Sequence, residues 1–252
     1  MNEWFDDFKT AVAFLTRLPM PHPDGASPAN FVRAHRMFPV VGALIGAAVG
    51  LLCMCLRAIG VPDLAAAALA LGASAVLTGA LHEDGLADVA DGFGGGRDVE
   101  GKLAIMRDSR IGTYGVMALL VSFAAKLSAL AAIPDGYVVP SLIAANALAR
   151  GVLPTLALNL PYARQDGLAR TSGQPDPTTT AIAAALALSI ALLMLSWTEA
   201  LSAAVAATIS GFVMAQLALR QIGGQTGDVL GAAEQVAETA ILVLLAAKLA
   251  QA

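Results

Sequence analysis

Three carboxylates in the run HEDGLADVADG, Asp84, Asp88 and Asp91, are spaced i, i+4 and i+7. On a helix that spacing stacks them on one face. Like charges so placed repel, and the pattern costs stability unless a cation neutralises it. Hard divalent cations take oxygen ligands, and Mg²⁺ is commonly held by one or two carboxylates together with substrate phosphates. Glu83, on a neighbouring face, completes or supports such a site. The chemistry implied is cation binding and, through it, the handling of a phosphoryl group. A merely solvated acidic face is the plainer alternative, and the place of these residues at the end of an apolar run argues against it.

The surrounding stretch, residues 82–115, carries seven of the nineteen acids and four bases. Phe93-Gly94-Gly95-Gly96 is expected to break the helix and to let backbone approach a ligand. Arg97 follows, and Arg107-Asp108-Ser109-Arg110 adds two guanidinium forks suited to bidentate phosphate recognition. Two later segments have similar composition. PYARQDGL supplies Arg164 and Asp166, and GGQTGDVLGAAE supplies Asp228 and Glu234. Metal-ligating carboxylates with arginine clamps suit phosphoryl transfer, where catalysis is mainly positioning and charge neutralisation.

The elements that must hold these residues are apolar. The chain is 57% hydrophobic and 13% charged, with mean hydropathy +0.70, against roughly 25% charged residues in soluble domains. Seven apolar segments, 38–60, 64–81, 114–133, 137–160, 178–197, 200–219 and 232–250, approach the roughly 20 residues that cross a bilayer core. The last is the weakest, because Glu234 and Glu238 occupy its first turns. The expectation is an all-α, polytopic integral membrane bundle of six to seven transmembrane helices, one membrane-embedded catalytic domain over residues 1–252. A soluble helical bundle fits these lengths poorly. Residues 2–18 read as an amphipathic N-terminal helix whose face of Trp4, Phe5, Phe8, Val12 and Leu15 lies either in the membrane interface or on the bundle. Acids near the N-terminus give no expectation of a cleaved signal. A proline-rich loop over 17–28 follows. Cys53 and Cys55, two apart in an apolar run, read as core residues rather than a disulfide.

The polar loops 82–113, 161–177 and 220–231 fall on the same side as the N-terminus. That side holds eleven of the fifteen bases, so the positive-inside rule makes it cytoplasmic. All the motifs then face one compartment, as in a membrane enzyme with cytosolic substrates. A transporter would distribute polar features on both sides or at the midplane. A net charge of −4 argues against nucleic-acid binding. Gly42, Gly46 and Gly50 form a small-residue row for close helix packing. Lys126, Asn146 and Arg150 are polar groups inside spans, which face a polar interior. Arg150 serves either an anionic ligand or a structural partner.

Taken in order, RLPMP, HEDGLADVADGFGGG, IMRDSRIGTYG, PYARQDGLA and GGQTGDVLGAAEQVAE resemble the cobalamin-5′-phosphate synthase (adenosylcobinamide-GDP ribazoletransferase) family over essentially the whole chain. The resemblance implies a Mg²⁺-dependent, multi-pass enzyme of the cytoplasmic (inner) membrane with its active-site loops toward the cytoplasm. It would join adenosylcobinamide-GDP to α-ribazole or α-ribazole 5′-phosphate late in cobalamin assembly, giving adenosylcobalamin or its 5′-phosphate and releasing GMP. The family's acidic motif falls on Glu83, Asp84, Asp88 and Asp91, which would hold one or two Mg²⁺ ions on the diphosphate. His82 or Glu83 would take the hydroxyl proton, with a structural role equally open to His82. Arg97, Arg107, Asp108, Arg110, Arg150, Arg164 and Asp228 would contact substrate. The expected partners are those two substrates and the lipid bilayer, with no nucleic acid. A homo-oligomer is left open. A CDP-alcohol phosphotransferase also uses helix-borne aspartates with Mg²⁺, but its D-G-x-x-A-R pattern needs an Arg that Asp84–Val89 lacks. A cation transporter is the non-enzymatic alternative.

Overall fold

Long runs of Ala, Leu, Val and Ile fold here as helices, which satisfy every backbone polar group within the segment, as lipid requires. The computed structural model describes residues 3–20, 28–164 and 173–249. In chain order the helices are α1 (Glu3–Leu15), α2 (Pro28–Ala34), a 3₁₀ turn (His35–Met37), α3 (Phe38–Ala58) and α4 (Asp63–Thr78). There follow α5 (Leu81–Gly95), α6 (Val99–Ile105), α7 (Thr113–Ala132), α8 (Asp135–Asn159), α9 (Pro177–Met194), α10 (Trp197–Ile222) and α11 (Gly227–Leu249). Six helical stretches are long and apolar enough to cross a membrane: Asn30–Ala58, α7, α8, α9, α10 and α11. A seventh crossing arises if α4 and α5 are taken as one bent pair. The protein is a polytopic helical membrane bundle.

Two expectations change here. The acidic helix does not continue from the second apolar segment: α5 turns away from α4 by 92°. The corner is made by Gly79 at φ +68° and Ala80 at φ +55°, both left-handed. Ala80 is the sole non-glycine residue with positive φ among the described residues, a conformation that carries strain in a residue with a Cβ. A Cβ on Gly79 would collide with the Arg17 guanidinium. The corner takes α5, with its four acids, off the line of the spans and lays it at the polar end of the bundle. Second, α11 begins at Gly227 and runs 23 residues, so the last apolar segment is long enough to span.

Small residues set the packing. A Cβ on Gly42 or Gly46 would collide with the Asn146 or Leu142 carbonyl of α8, and one on Gly50 would lie 3.0 Å from Val139 Cα. The glycine row therefore lets α3 and α8 meet backbone to backbone. At the opposite end Arg57 joins four helices, reaching Asp63 at 3.3 Å, Asp135 at 2.7 Å, and the Leu130 and Ile133 carbonyls. The N-terminal helix divides its apolar residues. Ala11, Val12 and Leu15 are buried on the bundle, whereas Trp4 and Phe5 are exposed. Its buried Asp7 pairs with Arg36 at 2.6 Å and lies 3.6 Å from Arg33.

Candidate active site

The site is assembled where α5 crosses α11. Gly85 and Gly231 meet there without side chains between them. A Cβ on Gly85 would stand 2.8 Å from the Asp228 carbonyl oxygen and 3.2 Å from Gly231 Cα. That approach brings the carboxylates of α5 beside Asp228 at the start of α11. Burial pushes the Asp88 carboxyl up to about 7, helped by the negative charges of Asp84, Asp228 and Asp91 and opposed by Arg164. Asp84 and Asp228 also feel one another.

A second device brings in Arg164. Residues 161–163 and 225 pair backbone to backbone, with Gln225 N donating to the Pro161 carbonyl at 2.8 Å and Ala163 N to the Gln225 carbonyl at 3.0 Å. The Gln225 side chain donates to the Ala157 and Leu160 carbonyls at the end of α8. So stitched, the loop sets Arg164 Nη2 on Asp228 Oδ2 at 3.3 Å. Arg164 Nη1 is buried with no hydrogen-bond partner among the described residues, a donor left for an anion. Thr226 anchors the same corner, giving its hydroxyl proton to Asp228 Oδ2 and accepting from Val229 N.

His82, Asp84, Arg164 and Asp228 line one half of a cavity of about 160 Å³. Its other half is apolar and aromatic, with Phe14, Phe31, His35 and Phe38. His82 is buried, with Nδ1 lying 3.3 Å from Glu234 Oε2. Facing a carboxylate, Nδ1 carries the proton and Nε2 is the basic nitrogen.

Several expected site residues stand elsewhere. Asp91 is not open to the cavity: Oδ2 accepts from Gly112 N at 2.6 Å and Oδ1 from Gly115 N at 2.9 Å. It caps the first turn of α7, and a Cβ on either glycine would strike its carboxylate. Arg150 is 2% exposed and faces Glu234, Nη1 to Oε1 2.7 Å, while donating to Asn146 Oδ1 at 2.7 Å. Asn146 in turn donates to Glu238 at 3.1 Å, which lies 3.3 Å from Lys126 Nζ. This ladder pairs the charged and amide groups inside the spans with one another, Arg150 Nε staying without a hydrogen-bond partner among the described residues, and of the two roles open to Arg150 the structure favours the structural partner. Glu83 lies in the field of Lys126 with Oε2 buried and without a hydrogen-bond partner among the described residues, and does not line the cavity. Asp108 and Arg110 pair with each other at 2.6 Å on the surface, which holds the Asp108 carboxyl down at about 2. Arg97 and Arg107 are exposed and are not among the described residues that line the cavity. Asp166 falls outside the described residues.

The glycine run also differs from expectation. The helix continues to Gly95, and the glycines make room for the chain itself. A Cβ on Gly92 would meet Met106, one on Gly94 the Tyr114 ring, and one on Gly96 the Lys102 backbone. Glu234, one of the two carboxylates of the GGQTGDVLGAAE segment, turns out to be the orienting partner of His82 rather than a group open to the cavity. An ionisable residue inside an apolar run is itself the signal that finds it.

The donors present suit a hard divalent cation. Asp84, Asp88 and Asp228 offer carboxylate oxygens only, and the Asp88 carboxyl is raised by burial first and by the neighbouring carboxylates after it. Among the described residues no three such groups form a ready-made cage. Mg²⁺ requires none, since it keeps waters and takes substrate phosphate oxygens to complete its octahedron.

The cobalamin-5-phosphate synthase family model matches residues 7–246. An adenosylcobinamide-GDP ribazoletransferase of Bradyrhizobium diazoefficiens is 46% identical over 242 residues, covering 96% of this chain and 93% of its own. Enzymes of the same name from Sinorhizobium medicae and Mesorhizobium japonicum are 42% identical, covering 98% and 95% of this chain and 98% and 92% of theirs. No solved structure matches.

Proposed function

Because the chain belongs to the cobalamin-5-phosphate synthase family, we propose that it transfers the phosphocobinamide moiety of adenosylcobinamide-GDP to α-ribazole or α-ribazole 5′-phosphate, releasing GMP. One observation carries this reading. A single cavity joins two carboxylates, Asp84 and Asp228, and a half-satisfied arginine to an aromatic pocket, with Asp88 electrostatically coupled to both carboxylates, which suits a diphosphate meeting a nucleoside.

Asp84 and Asp88, with Asp228 beside them, would hold Mg²⁺. When bound, the ion supplies charge neutralisation on the diphosphate and its leaving oxygen. The protein's own groups do the rest. Arg164 aims its unpartnered Nη1 at a phosphate oxygen, while its Nη2 is fixed by Asp228. His82 presents Nε2 to the acceptor hydroxyl, with Nδ1 held by Glu234. The acceptor oxygen forms a bond to the cobinamide-side phosphorus, and the bond from that phosphorus to the GMP oxygen breaks. The hydroxyl proton passes to His82 Nε2, a group suited to the task near neutral pH. Of the two bases open from sequence, His82 lines the cavity and Glu83 does not. Asp91 acts at a distance, fixing α7 against α5.

The polar end, with eleven of fifteen bases on its side, faces the cytoplasm in this reading, and one catalytic domain in the inner membrane does the whole reaction. The test is Mg²⁺-dependent GMP release from adenosylcobinamide-GDP plus α-ribazole by the purified protein. Release of CMP from a CDP-lipid, or cation flux without nucleotide release, would replace this reading with another.

A further inference from the structure

We propose that the aromatic half of the cavity seats the base of the acceptor nucleoside and excludes the guanine of the donor, an inference that rests on the transferase reading above. Four rings from four successive segments, α1, α2, the 3₁₀ turn and α3, meet there. Phe14 and Phe31 stand edge to face at 4.7 Å, Phe14 and Phe38 stack at 5.8 Å, and His35 stacks on Phe38 at 4.6 Å. All four line the same cavity as Asp84, His82, Arg164 and Asp228. None of the four belongs to the carboxylate machinery.

The pocket's chemistry selects among bases. Leu81, Leu153 and Leu230 complete the apolar wall. The polar ring among them, His35, has Nδ1 within 3.0 Å of the Phe31 carbonyl and 3.2 Å of the Val32 carbonyl, so its one proton is already used. Against the phenyl rings and leucines a guanine would leave its ring N–H, exocyclic amine and carbonyl largely without partners, a cost each group incurs separately, since the other polar lining residues, Tyr162 and Gln225, belong to the paired loop beside Arg164. A dimethylated benzimidazole, the base of α-ribazole, presents only carbon on that edge. Aromatic walls hold such a base by stacking. Cavities of about 150 Å³ lined by Leu and Phe admit a benzene ring, and this one measures about 160 Å³ with its carboxylate end included. The base then lies against Phe14 and Phe31 with its ribose directed toward His82, Asp84 and Arg164.

Phe14→Leu and Phe31→Leu remove a ring each while keeping apolar bulk at half-buried positions. Two measurements on the detergent-purified full chain decide the matter: equilibrium binding of α-ribazole without donor, and KM for each substrate in the GMP-release assay. The expected result is a rise of about tenfold in both Kd and KM for α-ribazole, in line with loss of one stacking partner, with donor KM within about twofold. Guanosine should compete with α-ribazole weakly. Unchanged α-ribazole affinity, or a rise confined to the donor's KM, overturns the proposal, and the second result puts guanine in the pocket. Should Phe31→Leu fail to fold, Phe14→Leu carries the same test, with the melting temperature as control. If the unaltered protein releases no GMP, the transferase reading falls, and direct α-ribazole binding with its loss in the variants still decides the subsite.

Discussion

Gly85 of α5 and Gly231 of α11 pack with their α-carbons face to face, so that a Cβ on Gly85 would come within 3.2 Å of Gly231 Cα. This contact brings the carboxylates of one helix beside that of the other. Gly85→Ala should therefore lower GMP release at least tenfold, because the added methyl meets backbone at Asp228 rather than a side chain that can move. Overpacking of this kind costs about 1–3 kcal/mol, so the protein should still insert and purify. Near-normal turnover with an unchanged melting temperature would show that the crossing tolerates more than its geometry implies.

Asp84 and Asp91 should separate in kind. Asp84→Asn removes a carboxylate at the cavity and should abolish turnover with the melting temperature held or raised, since it relieves repulsion. Asp91→Ala removes the cap on Gly112 and Gly115, a loss of about 1–2 kcal/mol, and should show first as a lower melting temperature. Thermal unfolding and GMP release measured on both variants check the division. Identical profiles would erase it.

Glu234→Gln leaves Arg150 buried without its counter-charge and His82 without its carboxylate. Breaking one partner of a buried pair costs about 3–5 kcal/mol. Replacing both residues, Arg150→Met with Glu234→Leu, should be less destabilising than either alone predicts by addition. A double-mutant cycle on thermal or denaturant unfolding measures the coupling.

Mg²⁺ binding should depend on pH through Asp88. Its carboxyl, raised to about 7 by burial and then by Asp84, Asp228 and Asp91, is protonated below that pH in the metal-free protein. The ion must displace that proton, so apparent affinity falls as pH drops below about 7 and levels off above it. One displaced proton corresponds to about tenfold per pH unit. Mg²⁺ titration calorimetry at pH 6, 7 and 8 reads this directly, and a flat response would show that Asp88 is ionised throughout.

The membrane bundle was legible because span length and apolar runs follow from bilayer thickness alone. The carboxylate spacing was legible too, since helical period decides which side chains share a face. Face and role are separate matters, as Asp91 shows. It shares the face of Asp84 and Asp88, yet its oxygens go to α7, and nothing in the i, i+7 spacing tells where another helix begins. The arginines illustrate the same point from the other direction. Arg107 and Arg110 sit in a motif-like run and end exposed, whereas Arg164 reaches the cavity only because the Pro161 and Gln225 backbones pair. The corner at Gly79 and Ala80 had no sequence signal beyond one glycine, because Ala80 adopts a backbone conformation that alanine seldom takes. The aromatic pocket was hidden for a simpler reason. Phe14, Phe31 and Phe38 lie on separate segments, and nothing in their spacing marks them as neighbours.

The ladder from Arg150 to Glu234 also fixes an order of events. Ribosomes deliver α8, bearing Asn146 and Arg150, before α11 and its glutamates exist. Until α11 arrives, the middle of the chain holds a guanidinium in the bilayer with no opposite charge to meet it. The final helix is thus the counter-ion for a helix made earlier.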